Sequence, residues 1–174
     1  MSSINNPYKN VHGTVTWRSP SNIALVKYWG KYGNQLPKNP NISFTLSKAF
    51  TETTIHYQGK KEVDGQLSIS FLFEGKENEK FKAKIVQFLS SIEVYFPFLK
   101  YLELKIESYN SFPHSTGIAS SASSMSALVL CLSDIENTIA GGLRPAEFIE
   151  KSSFIARLGS GSACRSIFPY ISVW

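Results

Sequence analysis

The period of the hydrophobic pattern changes along this chain, and that change limits the fold more than any other feature. Thr14 to Trp17, Asn22 to Tyr28, Ile42 to Leu46 and Thr51 to Tyr57 read as strands, with a turn signal at Ser19-Pro20-Ser21 between the first two. Leu67, Ile69, Phe71 and Phe73 alternate onto one face, as a half-buried strand requires. The period then lengthens. Phe81, Ile85, Phe88, Leu89 and Ile92 form one stripe of a helix, and Pro97 lies beyond its end. Tyr101 to Ser108 returns to period two, with Leu102, Leu104 and Ile106 on one side. A serine-rich helix is expected from Ala119 to about Leu132, and Pro145 suits the first turn of another reaching about Leu158. A short apolar strand is expected at Tyr170 to Trp174. Strands come early, helices late, with hairpin-like spacing. That order favours an α+β domain with a mixed or antiparallel sheet over a doubly wound parallel one.

Composition narrows the class. The chain has 174 residues, 43% hydrophobic and 18% charged, enough for a packed core and against disorder. Residues 1–12 are polar and read as a flexible lead-in, with one domain over 13–174. They show no apolar signal region, and Ala127 to Leu132, the longest apolar run, is too short to span a bilayer. The cysteines Cys131 and Cys164 form no C-x-x-C pair, so a cytoplasmic, reduced setting is expected. The net charge of +5 comes from dispersed lysines without an arginine-rich or aromatic-basic signature, which argues against nucleic acid. An anionic small molecule remains compatible with it.

Three segments suit anions. Pro20 to Lys31 carries Lys27 and Lys31 around Tyr28-Trp29-Gly30; two ammonium groups near one strand end suit polyphosphate, although rim lysines are often only solvated. Pro113 to Ser124 is a glycine-serine loop opening a helix, where backbone N–H groups and the helix dipole favour phosphate. It lacks the Gly-Lys-Ser/Thr of a Walker loop, and its serines also suit a small-residue packing face. His114 there reads as a loop residue before it reads as a base. Ala156 to Ser166 offers Ser160 and Ser162, the planar fork of Arg165, and Cys164, which reads as a packed thiol.

On these segments the chain resembles the mevalonate diphosphate decarboxylases of the GHMP kinase superfamily. Asn22-Ile23-Ala24 with Lys27-Tyr28-Trp29-Gly30-Lys31 is similar to the family's first motif. Gly117-Ile118-Ala119-Ser120-Ser121-Ala122 is similar to its phosphate loop, and Gly159-Ser160-Gly161-Ser162-Ala163-Cys164-Arg165-Ser166 to its third motif. Asn39-Pro40-Asn41-Ile42-Ser43-Phe44-Thr45-Leu46 looks like the Bacteroidetes-type branch. The resemblance covers essentially the whole chain but only the N-terminal half of the family's enzymes.

The resemblance implies a GHMP-type N-terminal domain with a left-handed βαβ crossover around the phosphate loop. It implies ATP and Mg²⁺ as cofactors and mevalonate 5-diphosphate as substrate, converted to isopentenyl diphosphate with ADP, phosphate and CO₂. Tyr28, Lys31, Ser160 and Ser162 would then hold the substrate diphosphate, and Arg165 its carboxylate. Asn22 would orient the substrate, and Lys27 would neutralise charge near the transferring phosphoryl group. Gly117, Ala119, Ser120 and Ser121 would contact ATP, Ser121 also meeting the metal. Ser124 departs from the family's usual glycine, and the family's catalytic aspartate has no match here. A truncated half, inactive alone, is therefore expected, with a missing C-terminal domain as partner and homodimers common in the family. Two other readings stand beside it: a kinase for a mevalonate-like alcohol, and a non-catalytic nucleotide-binding orphan domain.

Overall fold

The computed structural model describes residues 5–27, 29–113 and 120–174. Two long antiparallel strands, β1 (His12–Val26) and β4 (Ile42–Gly59), form its spine. The short hairpin of β2 (Lys31–Tyr32) and β3 (Leu36–Pro37) lies between them in sequence. β7 (Leu102–Asn110) pairs antiparallel with β4, and β5 (Ser68–Phe73) pairs parallel with β7. β6 (Lys76–Glu77) closes that edge, and β8 (Ile171–Val173) pairs with the first residues of β4. The path β1-β4-β7-β5-β6 is a mixed sheet, as the change of period leads one to expect.

The alternation selects the covered face. Ile55, Tyr57, Leu104 and Ile106 point into the core, and so does Phe71 from β5. Three helices supply the other layer: α1 (Glu79–Ser91), α2 (Ser120–Ala140) and α3 (Pro145–Gly159). α1 starts where Asn78 Oδ1 accepts from the Phe81 amide at 3.0 Å, and it buries Ile85, Phe88 and Leu89, the stripe read from sequence. α3 starts at Pro145, with Glu147 Oε2 accepting from the Arg144 amide at 3.0 Å. α2 runs eight residues past its expected end at Leu132 and reaches Ala140, ahead of Gly141 at φ 71°. The parallel β5–β7 pair is joined through α1, and β7 then leads toward the serine-rich segment.

Two expected breaks are bends instead. β1 is continuous through Ser19-Pro20-Ser21, and β4 is continuous through Ser47 to Ala49. The pairing slips there: Pro20 faces Phe50, while Asn22 faces Thr45. Proline has no amide hydrogen to give to a ladder, so it sits where the ladder is interrupted. Beyond the bend β4 changes its other neighbour, from β7 along Thr51–Gly59 to β8 along Ile42–Phe44. The turn residues were legible, but a bulge and a chain reversal share that signal.

The described part of the lead-in is tied to the sheet. Asn6 Nδ2 donates to the carbonyls of Lys60 (2.9 Å) and Tyr101 (3.0 Å), and the rings of Tyr8 and Tyr101 meet edge-on. Gly59 permits this approach: a β-carbon on it would lie 2.0 Å from the Tyr8 carbonyl oxygen. Gly59→Ala should therefore lift residues 5–11 off the sheet and cost about 1–3 kcal/mol, the usual range for overpacking. Urea unfolding measures this. A midpoint equal to wild type would mean that the lead-in packing contributes nothing.

Candidate functional site

Past the bend the first anion-friendly segment stays paired with β4 as far as Val26 and comes beside the third. Asn22, 3% exposed, joins the two: its Nδ2 donates to Ser166 Oγ at 2.6 Å and to the Ser162 carbonyl at 3.2 Å. Ser19 Oγ adds a bond to the Ser166 carbonyl at 2.9 Å. The glycine-serine turn of residues 159–162 is therefore clamped by β1. It leads into one 3₁₀ turn, Ala163–Ser166, in which every residue is buried.

Arg165 lies in that turn and is 4% exposed. Its Nη1 donates to Asn41 Oδ1. Asn41 is itself 2% exposed and is fixed from the other side. Its backbone exchanges two bonds with Trp174, at 2.8 and 3.0 Å, and its Nδ2 donates to the Trp174 carbonyl at 3.2 Å. Asn39 does similar work on the first segment, accepting from the Trp29 amide at 2.6 Å and donating to the Lys27 carbonyl at 3.3 Å. Neither asparagine was singled out as a site residue from sequence; the Asn39-Pro40-Asn41 wording carried the only available signal. The side chain of Lys27 is exposed, and Lys31 Nζ donates to Gln35 Oε1 at 2.5 Å on the β2–β3 hairpin.

The serine-rich helix divides by depth. Ser121 is exposed and Ser120 half-buried, whereas Ser123 is fully buried and bonds Thr51 Oγ1 at 2.7 Å. Ser133 and Ser152 bond each other across α2 and α3 at 2.8 Å. The later serines are thus a small-residue packing face, and only the first turn presents hydroxyls outward. Ser120, Ser121 and Ser124 line a cavity of about 150 Å³ with Phe71, Phe81 and Lys84. Lys84 gives this cavity a cation that the helical pattern did not distinguish from a solvated lysine. Ser124 Oγ lies 3.5 Å from Thr51 Oγ1. Arg165 lines a different and larger groove, about 720 Å³, with Arg157, Phe154 and Trp174 between α3 and β8. Tyr28, His114, Gly117 and Ala119 lie outside the described residues.

Neither cysteine is arranged as a nucleophile. Cys131 is fully buried, donates toward the Thr53 carbonyl at 3.2 Å, and burial pushes its thiol up to about 12. Burial also raises the Cys164 thiol, against the opposing pull of Arg165 and Arg157. Among the described residues no cluster of three or more His, Cys, Asp or Glu could hold a metal ion. No described helix is long and apolar enough to cross a membrane.

Raised thiol values set a pH dependence. The unfolded chain ionises its cysteines near about 8.5, so their contribution to stability is intact below that pH. It is lost as pH rises toward the folded value of about 12 for Cys131. Each unit of that climb costs roughly 1.4 kcal/mol for the Cys131 thiol. Denaturant unfolding between about pH 8 and 10.5 should show this slope, and Cys131→Ala should flatten it. Iodoacetamide at about pH 7.5 should label neither cysteine until the protein is unfolded.

Known proteins give this geometry a family. The family described as the diphosphomevalonate decarboxylase-like N-terminal domain matches residues 19–174. Diphosphomevalonate decarboxylases of Debaryomyces hansenii and Candida albicans are 34% and 37% identical to the chain. The matches cover 92% and 90% of this chain, but 42% and 43% of those proteins. The chain thus spans about two fifths of the length of the curated relatives it matches. The crystal structure of mevalonate diphosphate decarboxylase from Staphylococcus aureus superposes with a TM-score of 0.75 at 32% identity, covering 94% of this chain and 46% of that one. The enzyme from Enterococcus faecalis gives 0.73 at 34%, covering 94% and 48%. MDDEF in complex with MVAPP, AMPPCP and magnesium gives 0.72 at 34%, covering 94% and 47%. With its first and third motifs joined at Asn22 and its fold shared with these enzymes, the chain belongs to the diphosphomevalonate decarboxylase-like N-terminal domain family.

Proposed function

We propose that this chain is the nucleotide- and substrate-binding part of an enzyme that decarboxylates mevalonate 5-diphosphate to isopentenyl diphosphate, with ATP converted to ADP and phosphate. The observation that carries the reading is the clamp of Asn22 on Ser162 and Ser166, which puts the first and third motifs in one place. Motif matches scattered over the surface would carry little weight. Here the glycine-serine turn, its hydroxyls and a buried arginine share one support.

The residues fit the proposed cofactor. The cavity beside Ser120 and Ser121 is walled by Phe71, Phe73 and Phe81, which suits a flat apolar base, and Lys84 and the serine hydroxyls suit phosphate. Ser121 is exposed, so its hydroxyl can serve Mg²⁺ together with nucleotide oxygens and water. Bound ATP would supply the phosphoryl group that turns a tertiary alcohol into a leaving group. The chain's own part is positioning and charge. Gly117 and Ala119 would offer backbone amides to the nucleotide, and Lys27 would offset charge on the transferring group. Tyr28, Lys31, Ser160 and Ser162 would hold the substrate diphosphate, and Arg165 its carboxylate. Asn22 would act on the substrate through the turn it clamps.

The general base for the tertiary alcohol belongs, in this reading, to the part of the enzyme that the relatives have and this chain does not span. Two acids of this chain that could be considered for that role are engaged elsewhere: Glu52 with Arg18 at 2.6 Å, and Asp134 with Trp17 Nε1 at 2.9 Å. A C-terminal domain like the part of the relatives that this chain does not span is thus the proposed partner, with a homodimer as the assembly of the intact enzyme. The two free, buried cysteines support a reducing, cytoplasmic setting.

The 174-residue chain should bind without turnover. Titration with mevalonate 5-diphosphate and Mg-ATP should give salt-sensitive diphosphate binding that weakens in Lys31→Ala and Arg165→Ala, while CO₂ and ADP stay at background. Losing the base alone removes about 10²–10⁴-fold in rate. Turnover at the rate of an intact family enzyme would place the base within this chain and overturn the assignment.

A further inference from the structure

The cavity at Ser120 and Ser121 belongs to the nucleotide reading already given. The first motif, by contrast, is held by a residue outside all three motifs. Lys27, Trp29 and Gly30 lie between the end of β1 and the start of β2, and among the described residues no strand pairs with them. Asn39, between β3 and β4, bonds this stretch from the other stem of the hairpin. Resting on the proposed function above, we infer that Asn39 is the positioning residue for the first motif, and that it sets how tightly the site takes a diphosphate.

Asn39 supplies the bonds that a neighbouring strand would have supplied. Its Oδ1 accepts from the Trp29 amide at 2.6 Å, and its Nδ2 donates to the Lys27 carbonyl at 3.3 Å. One side chain thus satisfies a backbone donor and a backbone acceptor of the same stretch. The orientation of the amide follows from its partners. Nδ2 also donates to the Pro40 carbonyl at 2.8 Å, and carbonyls only accept. A flipped amide would set oxygen against both carbonyls, so Oδ1 must face the Trp29 N–H. Next to this bridge, the Lys38 amide donates to the Gly30 carbonyl at 3.2 Å. Gly30, at φ 78°, lets the two stems close: a β-carbon on it would lie 3.2 Å from Lys38 Cδ.

The bridge has a consequence for binding. Lys27 leads out of β1 and Lys31 opens β2, so the two ammonium groups share one diphosphate only while both backbones keep their places. Without the bridge, the stretch between them must be ordered when the ligand binds, and the freedom lost then lowers affinity. The cavity at the start of α2 is lined by none of these residues. Nucleotide binding there is therefore independent of Asn39 and serves as an internal control.

The test titrates the 174-residue chain by calorimetry with mevalonate 5-diphosphate and, separately, with Mg-ADP, and follows amide hydrogen exchange by NMR. Trp29 is 79% exposed, so its amide should exchange slowly in the wild type only because Asn39 holds it. Asn39→Ala should speed that exchange at least about tenfold and weaken mevalonate 5-diphosphate about tenfold, with Mg-ADP staying within about twofold of wild type. Lys31→Ala should also weaken the diphosphate but leave the Trp29 amide protected, which separates loss of charge from loss of position. Mg-ADP affinity reports whether a variant is folded. Should the alanine variant fail to fold, Asn39→Ser removes the same two-sided amide and carries the same comparison. Fast Trp29 exchange in the wild type, diphosphate affinity unchanged in a folded variant, or equal weakening of both ligands overturns the inference and leaves the proposed function intact. A wild-type chain that does not bind mevalonate 5-diphosphate removes the proposed function itself, and this inference with it.

Discussion

The pairing of β1 with β4, and the slip within it, is the constraint on which the rest of the structure depends. Two strands of 15 and 18 residues are unusually long, and neither could stay straight across a domain of this size. The slip at Pro20 bends both together. On one side of the bend β4 pairs with β7 and presents Thr51, Thr53, Ile55 and Tyr57 to the helices. On the other side it pairs with β8, and there Ser43, with Asn41 just ahead of the strand, is buried toward the arginine turn. One strand thus serves the apolar core with half its length and the polar site with the other half. Moving the slip by one residue would turn Asn22 outward and release the turn that it clamps.

Polar burial follows the same division. Thr51 meets Ser123 and Asn110, Thr53 meets Ser108, and Cys131 meets the Thr53 carbonyl. These small groups let α2 lie close on the sheet, where larger side chains would hold it away. The close approach in turn decides which serines face outward. Ser120 and Ser121 belong to the first described turn of α2, where the helix rises from the sheet, while Ser126 and Ser133 are sealed beneath it. A serine-rich helix is poor by propensity, and here the packing that its small side chains permit offsets that weakness.

The fold was legible wherever one face is apolar and the other polar. The stripe of Ile85, Phe88, Leu89 and Ile92 and the alternation of Leu102, Leu104 and Ile106 needed no tertiary information. The bend was not legible, because Ser19-Pro20-Ser21 signals an interrupted ladder without saying whether the chain reverses. At the site, the motif hydroxyls and cations could be named from spacing alone. Their supports could not, since Asn22 reaches Ser166 across 144 positions and Asn41 reaches Arg165 across 124. Asparagine is also the residue least readable in isolation: its amide suits turns, caps and buried bridges equally well.

Several of the described acids are paired within the fold. Glu52 pairs with Arg18 on the outer sheet face, Glu136 with Lys151 between α2 and α3, and Asp134 with the indole of Trp17. The groove beside Arg165 is lined by Glu150, Ser153 and Arg157 as well as by apolar side chains. Arg165 donates to the side-chain oxygen of Asn41, and Trp174, the residue that follows β8, bonds both the backbone and the side chain of Asn41. That makes β8 more than an edge strand. By carrying Trp174 to Asn41 it links the end of the described chain to the orientation of the arginine, so that displacement of three residues, Ile171–Val173, would loosen the site without disturbing the core.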